Sequence, residues 1–132
     1  MLSDKIENCL QVHENVVAAW LFGSQASGQA RPDSDVDIAI LAEQPLSLDQ
    51  RLALQIDLEQ ALECFRVDVV DLRNATPVLC FEALNGQRAF VRSADKVAEF
   101  SSQVGREYES AMALLKIGYR ARKDRRGQEK VS

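Results

Sequence analysis

The segment LFGSQASGQARPDSDVDIAIL, residues 21–41, joins two apolar runs through a polar loop. The first run ends in Gly23 and Ser24, and two aspartates one residue apart, Asp35 and Asp37, open the second. Apolar, β-branched runs bounded by glycine are typical of buried strands. The segment therefore predicts two consecutive strands, with a glycine turn leaving one strand and a carboxylate pair entering the next.

The aspartate pair occupies alternate positions of the second predicted strand, residues 35–41. Side chains two residues apart on a strand share a face, with Cα atoms about 6.5–7 Å apart. The Asp35 and Asp37 side chains would then stand side by side while Val36 and Ile38 face the core. Two neighbouring carboxylates repel each other, so the pattern predicts a cation between them, and Mg²⁺ is the ion that prefers carboxylate and phosphate oxygens.

The glycine turn supplies a complementary feature. Gly23 has no Cβ, so a ligand can approach its backbone closely, and the following N–H groups and the Ser24 hydroxyl can donate to phosphate oxygens. A metal site facing such a phosphate-binding turn is typical of phosphoryl transfer.

A third carboxylate is expected from the strand predicted at residues 66–72. Asp68 and Asp71 are three residues apart, so only one of them can share a face with the aspartate pair. We expect Asp68, because a buried charge among its valine neighbours would be costly without a metal, and we interpret Asp71 as a turn residue at the strand exit. Three carboxylates suit a two-metal in-line attack on an α-phosphate with pyrophosphate leaving.

The remaining pattern predicts an α/β domain with helices over a small sheet. Four helices are expected. The first covers residues 2–13, and the second runs from a capping box of Ser47 and Gln50 to residue 65; the third begins at Thr76 and Pro77 and stops at Gly86, and the fourth is a long C-terminal helix. The expected strands are 16–22, 35–41, 66–72 and 87–91. Trp20 and Phe22 are interpreted as core residues.

Composition sets the class of protein. The 132 residues are 46% hydrophobic and 27% charged, which is typical of one soluble globular domain. The sequence shows neither a long apolar run nor a leader, so a cytoplasmic protein without membrane contact is expected. The three cysteines form no CxxC pair and are interpreted as buried apolar residues without zinc: Cys9, Cys64 and Cys80.

The charge is unevenly distributed. The net charge is −4, yet the segment from Lys116 onward holds seven basic against two acidic residues. An acidic body argues against direct nucleic-acid binding. The basic tail is either a solvated helix end or a docking element for an acidic partner. A stripe on the last helix is expected to pack on an apolar surface: Val97, Phe100, Val104, Tyr108, Ala111 and Leu115.

Other polar residues have ordinary structural interpretations. His13 lies between a helix and a strand and is interpreted as a surface residue at a helix end. Three arginines could reach a triphosphate, although solvated helix or loop positions explain them equally: Arg51, Arg73 and Arg88.

Gly23 and Ser24, ten intervening residues and then Asp35-x-Asp37 resemble the signature of the DNA polymerase β-like nucleotidyltransferase superfamily. The VDVVDL segment resembles the strand that carries the third carboxylate of that superfamily. The resemblance covers residues 16–90. The small size is similar to minimal nucleotidyltransferases of the MntA type, which are antitoxin partners of HEPN-domain toxins.

The resemblance implies a mixed sheet flanked by helices in a single domain, residues 1–132, with a catalytic core at about 16–90 and a C-terminal helix and basic tail at about 94–132. It implies transfer of AMP from ATP, with two Mg²⁺ ions, to a tyrosine of a HEPN ribonuclease toxin held in a hetero-oligomeric complex. Residue by residue, Gly23 and Ser24 would hold phosphate, Asp35 and Asp37 would bind metal, and Asp68 would bind metal and activate the attacking hydroxyl.

Two alternatives stay open at this point. The protein could neutralise a toxin by binding alone, for which the last helix and its basic tail are the sequence support. It could instead transfer a nucleotide to a small molecule such as an aminoglycoside. The second alternative is weaker, because relatives with that activity usually carry a further substrate domain.

Overall fold

A four-stranded mixed sheet forms the centre of the molecule. The computed structural model describes residues 2–23, 36–63 and 66–131, with side chains described up to residue 117. The strands are β1 (Val16–Phe22), β2 (Val36–Ala42), β3 (Val67–Asp71) and β4 (Gln87–Val91), in the order β3-β2-β1-β4. Strand β1 is antiparallel to both β2 and β4, whereas β2 and β3 are parallel. The expected mixed sheet flanked by helices is confirmed.

Helices cover both faces of this sheet. They are α1 (Leu2–Leu10), α2 (Leu48–Leu62), α3 (Pro77–Leu84) and α4 (Ala94–Val131), with a short 3-10 helix at Leu72–Asn74. The prediction that the first helix runs to residue 13 was wrong. The chain turns after Leu10, where the His13 N–H donates to the Leu10 carbonyl at 3.0 Å, and enters β1 at Val16.

Alternation along the strands divides the core into two layers. On β2, Val36, Ile38 and Ile40 pack against α1 and α2, whereas Ala39 and Leu41 belong to the layer beneath α3 and α4. Every residue of this strand except Asp37 is buried. Residues at odd positions of β2 therefore share the α3/α4 side of the sheet.

Local capping explains where the middle helices begin and end. Ser47 accepts from the Gln50 N–H while the Gln50 side chain accepts from the Ser47 N–H, which confirms the capping box. Thr76 accepts from the Leu79 N–H before Pro77, as predicted. Gly86 follows α3, and a Cβ there would lie 2.5 Å from the Leu21 carbonyl oxygen, so close packing on β1 demands glycine.

Side chains of α2 protect the open edge of β3. The Arg51 guanidinium donates to the Val69 carbonyl at 2.9 Å, and the Glu59 carboxylate accepts from the Val67 N–H at 3.3 Å. These bonds satisfy backbone groups that an edge strand would otherwise offer to another chain.

The apolar stripe of α4 packs on the domain only over its first half. Val97, Phe100 and Val104 are buried, and the Tyr108 ring stacks on Phe81 with centroids 4.0 Å apart. Leu115, at the end of the expected stripe, is 61% exposed on the domain itself, so its packing against an apolar surface stays a prediction. Within the described part of the chain, no helix is long and apolar enough to span a bilayer.

Two cysteines lie in described segments. Cys80 is buried and its thiol donates to the Leu72 carbonyl, while Cys9 is half-buried. Burial raises the pKa of both thiols, so they are poor nucleophiles. The third cysteine, Cys64, lies outside the described residues.

Candidate functional site

The turn that leaves β1 brings Gly23 against Asp37. Gly23 has φ +76°, and a Cβ added to it would lie 2.5 Å from Oδ2 of Asp37. Residues with a side chain adopt this left-handed backbone only at an energetic cost. Glycine is therefore required both for the turn and for the close approach of the carboxylate to the backbone.

Asp37 and Asp68 are neighbours on adjacent strands of the sheet. In the register of the strands, Asp37 pairs with Asp68 on the parallel strand β3 and with Phe22 on the antiparallel strand β1. Paired residues of adjacent strands share a face, so both carboxylates stand on the α3/α4 side. Their neighbours Val36 and Val67 are buried on the opposite face, which fixes this orientation.

The burial that was expected at Asp68 is found at Asp71 instead. Asp68 was expected among buried valines, but it is exposed. The buried aspartate is Asp71, which is 6% exposed and faces the other way. Its carboxylate accepts from the Arg73 N–H at 3.1 Å and from the Asn74 amide at 3.2 Å, which caps the 3-10 helix. Asp71 therefore has the structural role that a turn residue would have.

Two of the candidate residues, Ser24 and Asp35, lie outside the described residues. In the segments that are described, no cluster of three or more acidic, histidine or cysteine side chains could hold a metal ion. The neighbouring carboxylates of Asp37 and Asp68 form a pair of hard oxygen ligands of the kind that Mg²⁺ uses. Such a donor pair is of the kind that a divalent cation takes, and the roles of Asp35, Asp37 and Asp68 as metal ligands stay predictions.

The remaining polar candidates lie elsewhere or are already bonded. His13 precedes β1, about 20 Å along the strand from Gly23, and its Nε2 is 2.8 Å from Oδ2 of Asp57. Arg51 and Arg73 donate to the backbone carbonyls of Val69 and Ala42, respectively, and so hold the fold together. Arg88 is exposed on β4, as its solvated interpretation predicts.

Arg92 has a structural role that the sequence does not indicate. Arg92 directs its guanidinium at carbonyls that end α1 and begin β1: Nε lies 2.9 Å from the Val16 oxygen, and Nη2 lies 3.1 Å from the Leu10 oxygen. A basic residue directly after a short strand carries no sequence signal for this role. Arg92 anchors the start of β1, whose other end forms the glycine turn.

Comparison with known proteins agrees with this geometry. The sequence model of the polymerase beta nucleotidyltransferase family matches residues 4–96. The chain is 46% identical over 61 residues to a protein adenylyltransferase MntA of Shewanella oneidensis, covering 46% of this chain and 43% of the relative. The sequence match thus spans less than half the length of that curated relative.

Solved structures extend the likeness over most of the chain. A chain of the crystal structure of a toxin-antitoxin with AMP-PNP is similar with a TM-score of 0.71 and 30% identity, covering 84% of this chain and 90% of that chain. A chain from a complex of a tri-AMPylated Shewanella oneidensis HEPN toxin with an MNT antitoxin gives a TM-score of 0.66 and 26% identity, covering 86% and 91%. Together with the family match, these findings show that the chain belongs to the polymerase beta nucleotidyltransferase family.

Proposed function

We propose that this protein transfers AMP from ATP to a tyrosine hydroxyl of a partner HEPN ribonuclease toxin and thereby acts as its antitoxin. The observation that carries the proposal is the register pairing of Asp37 with Asp68 beside the left-handed turn at Gly23. The similar proteins support the direction of the chemistry, because one is named a protein adenylyltransferase and another is an antitoxin bound to an AMPylated toxin.

Each site residue has a role in this reaction. Gly23 and Ser24 hold the triphosphate through backbone N–H groups and the serine hydroxyl. Asp35, Asp37 and Asp68 are the residues that would hold Mg²⁺, and the bound ions would lower the pKa of the attacking hydroxyl and neutralise phosphate charge. Asp68 is exposed on the edge strand β3, where an incoming hydroxyl can reach it.

The transfer needs no reactant other than ATP and the tyrosine hydroxyl. The tyrosine oxygen attacks the α-phosphorus and forms a new P–O bond, while the bond from that phosphorus to the bridging oxygen breaks and pyrophosphate leaves. Asp68 orients the hydroxyl and accepts its proton. The three aspartates and the turn thus bind and align the substrates and accept the proton, which are the tasks that in-line phosphoryl transfer requires. We place the reaction in the cytoplasm, where ATP is available.

The test uses the full chain with its co-purifying partner, ATP and Mg²⁺, followed by intact mass measurement. The partner should gain the mass of one or more adenylyl groups, and fragmentation should locate them on tyrosine. Asp37→Asn should abolish the gain while circular dichroism and the melting temperature stay close to those of the unaltered protein. Omission of ATP, or its replacement by GTP, controls for the nucleotide.

Two results would contradict the proposal. Undiminished adenylylation of the partner by the Asp37→Asn protein would show that Asp37 is not part of the active site. Full inhibition of the partner by that variant, without any adenylylation, would show that binding alone neutralises the toxin.

A further inference from the structure

A row of apolar side chains on α2 points away from the core. Leu48, Leu52 and Ile56 are 71%, 46% and 53% exposed, respectively, and they are spaced four residues apart. This spacing places them on one side of the helix, distinct from the side whose Leu54, Leu58 and Leu62 are buried. We call these three residues the α2 row. A helix with two apolar sides needs a covering partner on the second one.

A second exposed apolar group lies on α4, after the helix has left the domain. Leu114, Leu115 and Ile117 are 70%, 61% and 64% exposed, respectively. The last ring contact with the domain is that of Tyr108 with Phe81. We call Leu114, Leu115 and Ile117 the α4 row. The helix continues to Val131, about 35 Å beyond Tyr108 at 1.5 Å per residue.

The helix segments that carry the two apolar rows have net charges of opposite sign. The helix α2 and its cap Glu63 contain four acidic residues against Arg51, a difference of −3. Arg51 is bonded to β3, and two of the acidic residues are also bonded, Asp57 to His13 and Glu59 to the Val67 N–H. The segment from Lys116 onward contains seven basic against two acidic residues, a difference of +5. Charges of opposite sign around matched apolar patches favour association and set which surfaces meet.

We infer that the α4 row of one copy of this protein docks on the α2 row of a second copy, and that the exchange is reciprocal in a two-fold dimer. Reciprocal contacts follow from two-fold symmetry, because each copy carries both surfaces. The inference is independent of the proposed function, since it involves neither nucleotide nor toxin.

The exposed apolar side chains supply most of the area that a specific contact needs. Two reciprocal contacts would cover twelve aliphatic side chains, which at about 100 Å² for a fully exposed one and roughly 60% exposure amounts to on the order of 700 Å² of apolar surface. Polar neighbours raise the total toward the roughly 1,000 Å² that specific interfaces exceed.

The test measures oligomeric state in the absence of partner and nucleotide. Size-exclusion chromatography with light scattering should give twice the chain mass at micromolar concentration, and the dimer should weaken as salt rises. Leu52→Asp with Ile56→Asp should halve the mass, and so should Leu114→Asp with Ile117→Asp. Ser102→Asp adds a negative charge at an exposed position of α4 that belongs to neither row, and it should leave the dimer intact. Circular dichroism confirms that each variant is folded.

A cross-linking experiment tests which surfaces meet. Ile56→Cys protein mixed with Leu114→Cys protein should form a disulfide between copies on mild oxidation, well above the yield of either variant alone or of the unaltered protein. A monomer at every concentration, or a dimer that survives both double-aspartate variants, would overturn the inference. Loss of a co-purifying partner with unchanged self-association would assign the α2 row to that partner, and would overturn it too.

Discussion

Asp37 and Asp68 stand directly opposite each other on the parallel strands β2 and β3, and both face the α3/α4 side of the sheet. They are 31 positions apart in the chain, on strands that flank the helix α2. Asp37 is therefore next to both the glycine turn that follows β1 and the Asp68 carboxylate on β3. It also separates Asp68 from Asp71, which the sequence alone leaves as competing candidates.

Asp68→Asn and Asp71→Ala should have different consequences. Removing the Asp68 charge should lower adenylyl transfer by on the order of 10²-fold or more and leave stability nearly unchanged, because the side chain is exposed. Removing the Asp71 carboxylate should cost about 1–2 kcal/mol of unfolding free energy with little effect on transfer, because it caps the 3-10 helix. Urea unfolding and the mass assay measure the two effects. The opposite pattern would assign the role of the third carboxylate to Asp71.

Gly23→Ala should impair both folding and activity. The left-handed backbone at φ +76° costs about 1–2 kcal/mol with a side chain, and the added Cβ meets the Asp37 carboxylate. We expect the melting temperature to fall and transfer to drop at least tenfold. Gly105→Ala is the matched control, since a Cβ there meets nothing within 4 Å. A glycine inside a helix costs roughly 0.5–1 kcal/mol relative to alanine, so the control should gain stability. Equal effects at both positions would show that the Gly23 turn is not constrained.

Arg92→Met should destabilise the fold by about 1.5–3 kcal/mol. The guanidinium approaches the carbonyls of Leu10, Gln11, His13 and Val16, all within 3.2 Å, and hydrogen bonds from a charged donor are the more costly ones to lose. Chemical denaturation followed by circular dichroism measures the change. Arg106→Met, an exposed position on α4, should stay within about 0.5 kcal/mol of the unaltered protein. A similar loss in both variants would exclude a specific anchoring role.

The contribution of the Glu43–Lys96 pair should depend on pH. The Lys96 ammonium donates to the Glu43 carboxylate and holds the pKa of that carboxyl below its usual range. Because the folded pKa is lower than the unfolded one, the pair stabilises the fold above the unfolded pKa, and this stabilisation is lost as pH falls through the folded pKa.

Lys96→Met tests this dependence. The variant should be slightly less stable than the unaltered protein at pH 7, and the difference should disappear in acid below the folded pKa of Glu43. Both groups are exposed, so the effect should be small and should weaken with salt. Lys116→Met, also exposed on α4, is the control. A difference that persists unchanged into acid would show that the pair is not its origin.

Local signals in the sequence predicted most of the secondary structure correctly. The strands β1 and β4 have the predicted bounds, because short apolar runs between turn residues are strand-like whatever their context. The caps at Ser47 and Thr76 are also as predicted, since capping depends on residues only three positions apart. The end of α1 was placed too late, because helix ends carry weaker signals than helix centres.

The order of the strands and the partners of each surface depend on contacts distant in sequence. The sequence by itself determined that Asp37 would lie at the start of a strand and Gly23 in the turn after the preceding strand, and it favoured Asp68 on an expectation of burial that was wrong. Only the tertiary structure decided that β3 lies parallel beside β2 with Asp68 opposite Asp37, and that Asp71 is the buried one. The physical reason is that alternation fixes relative faces within a strand, whereas which face is covered, and which residues oppose each other, depend on how helices and strands pack.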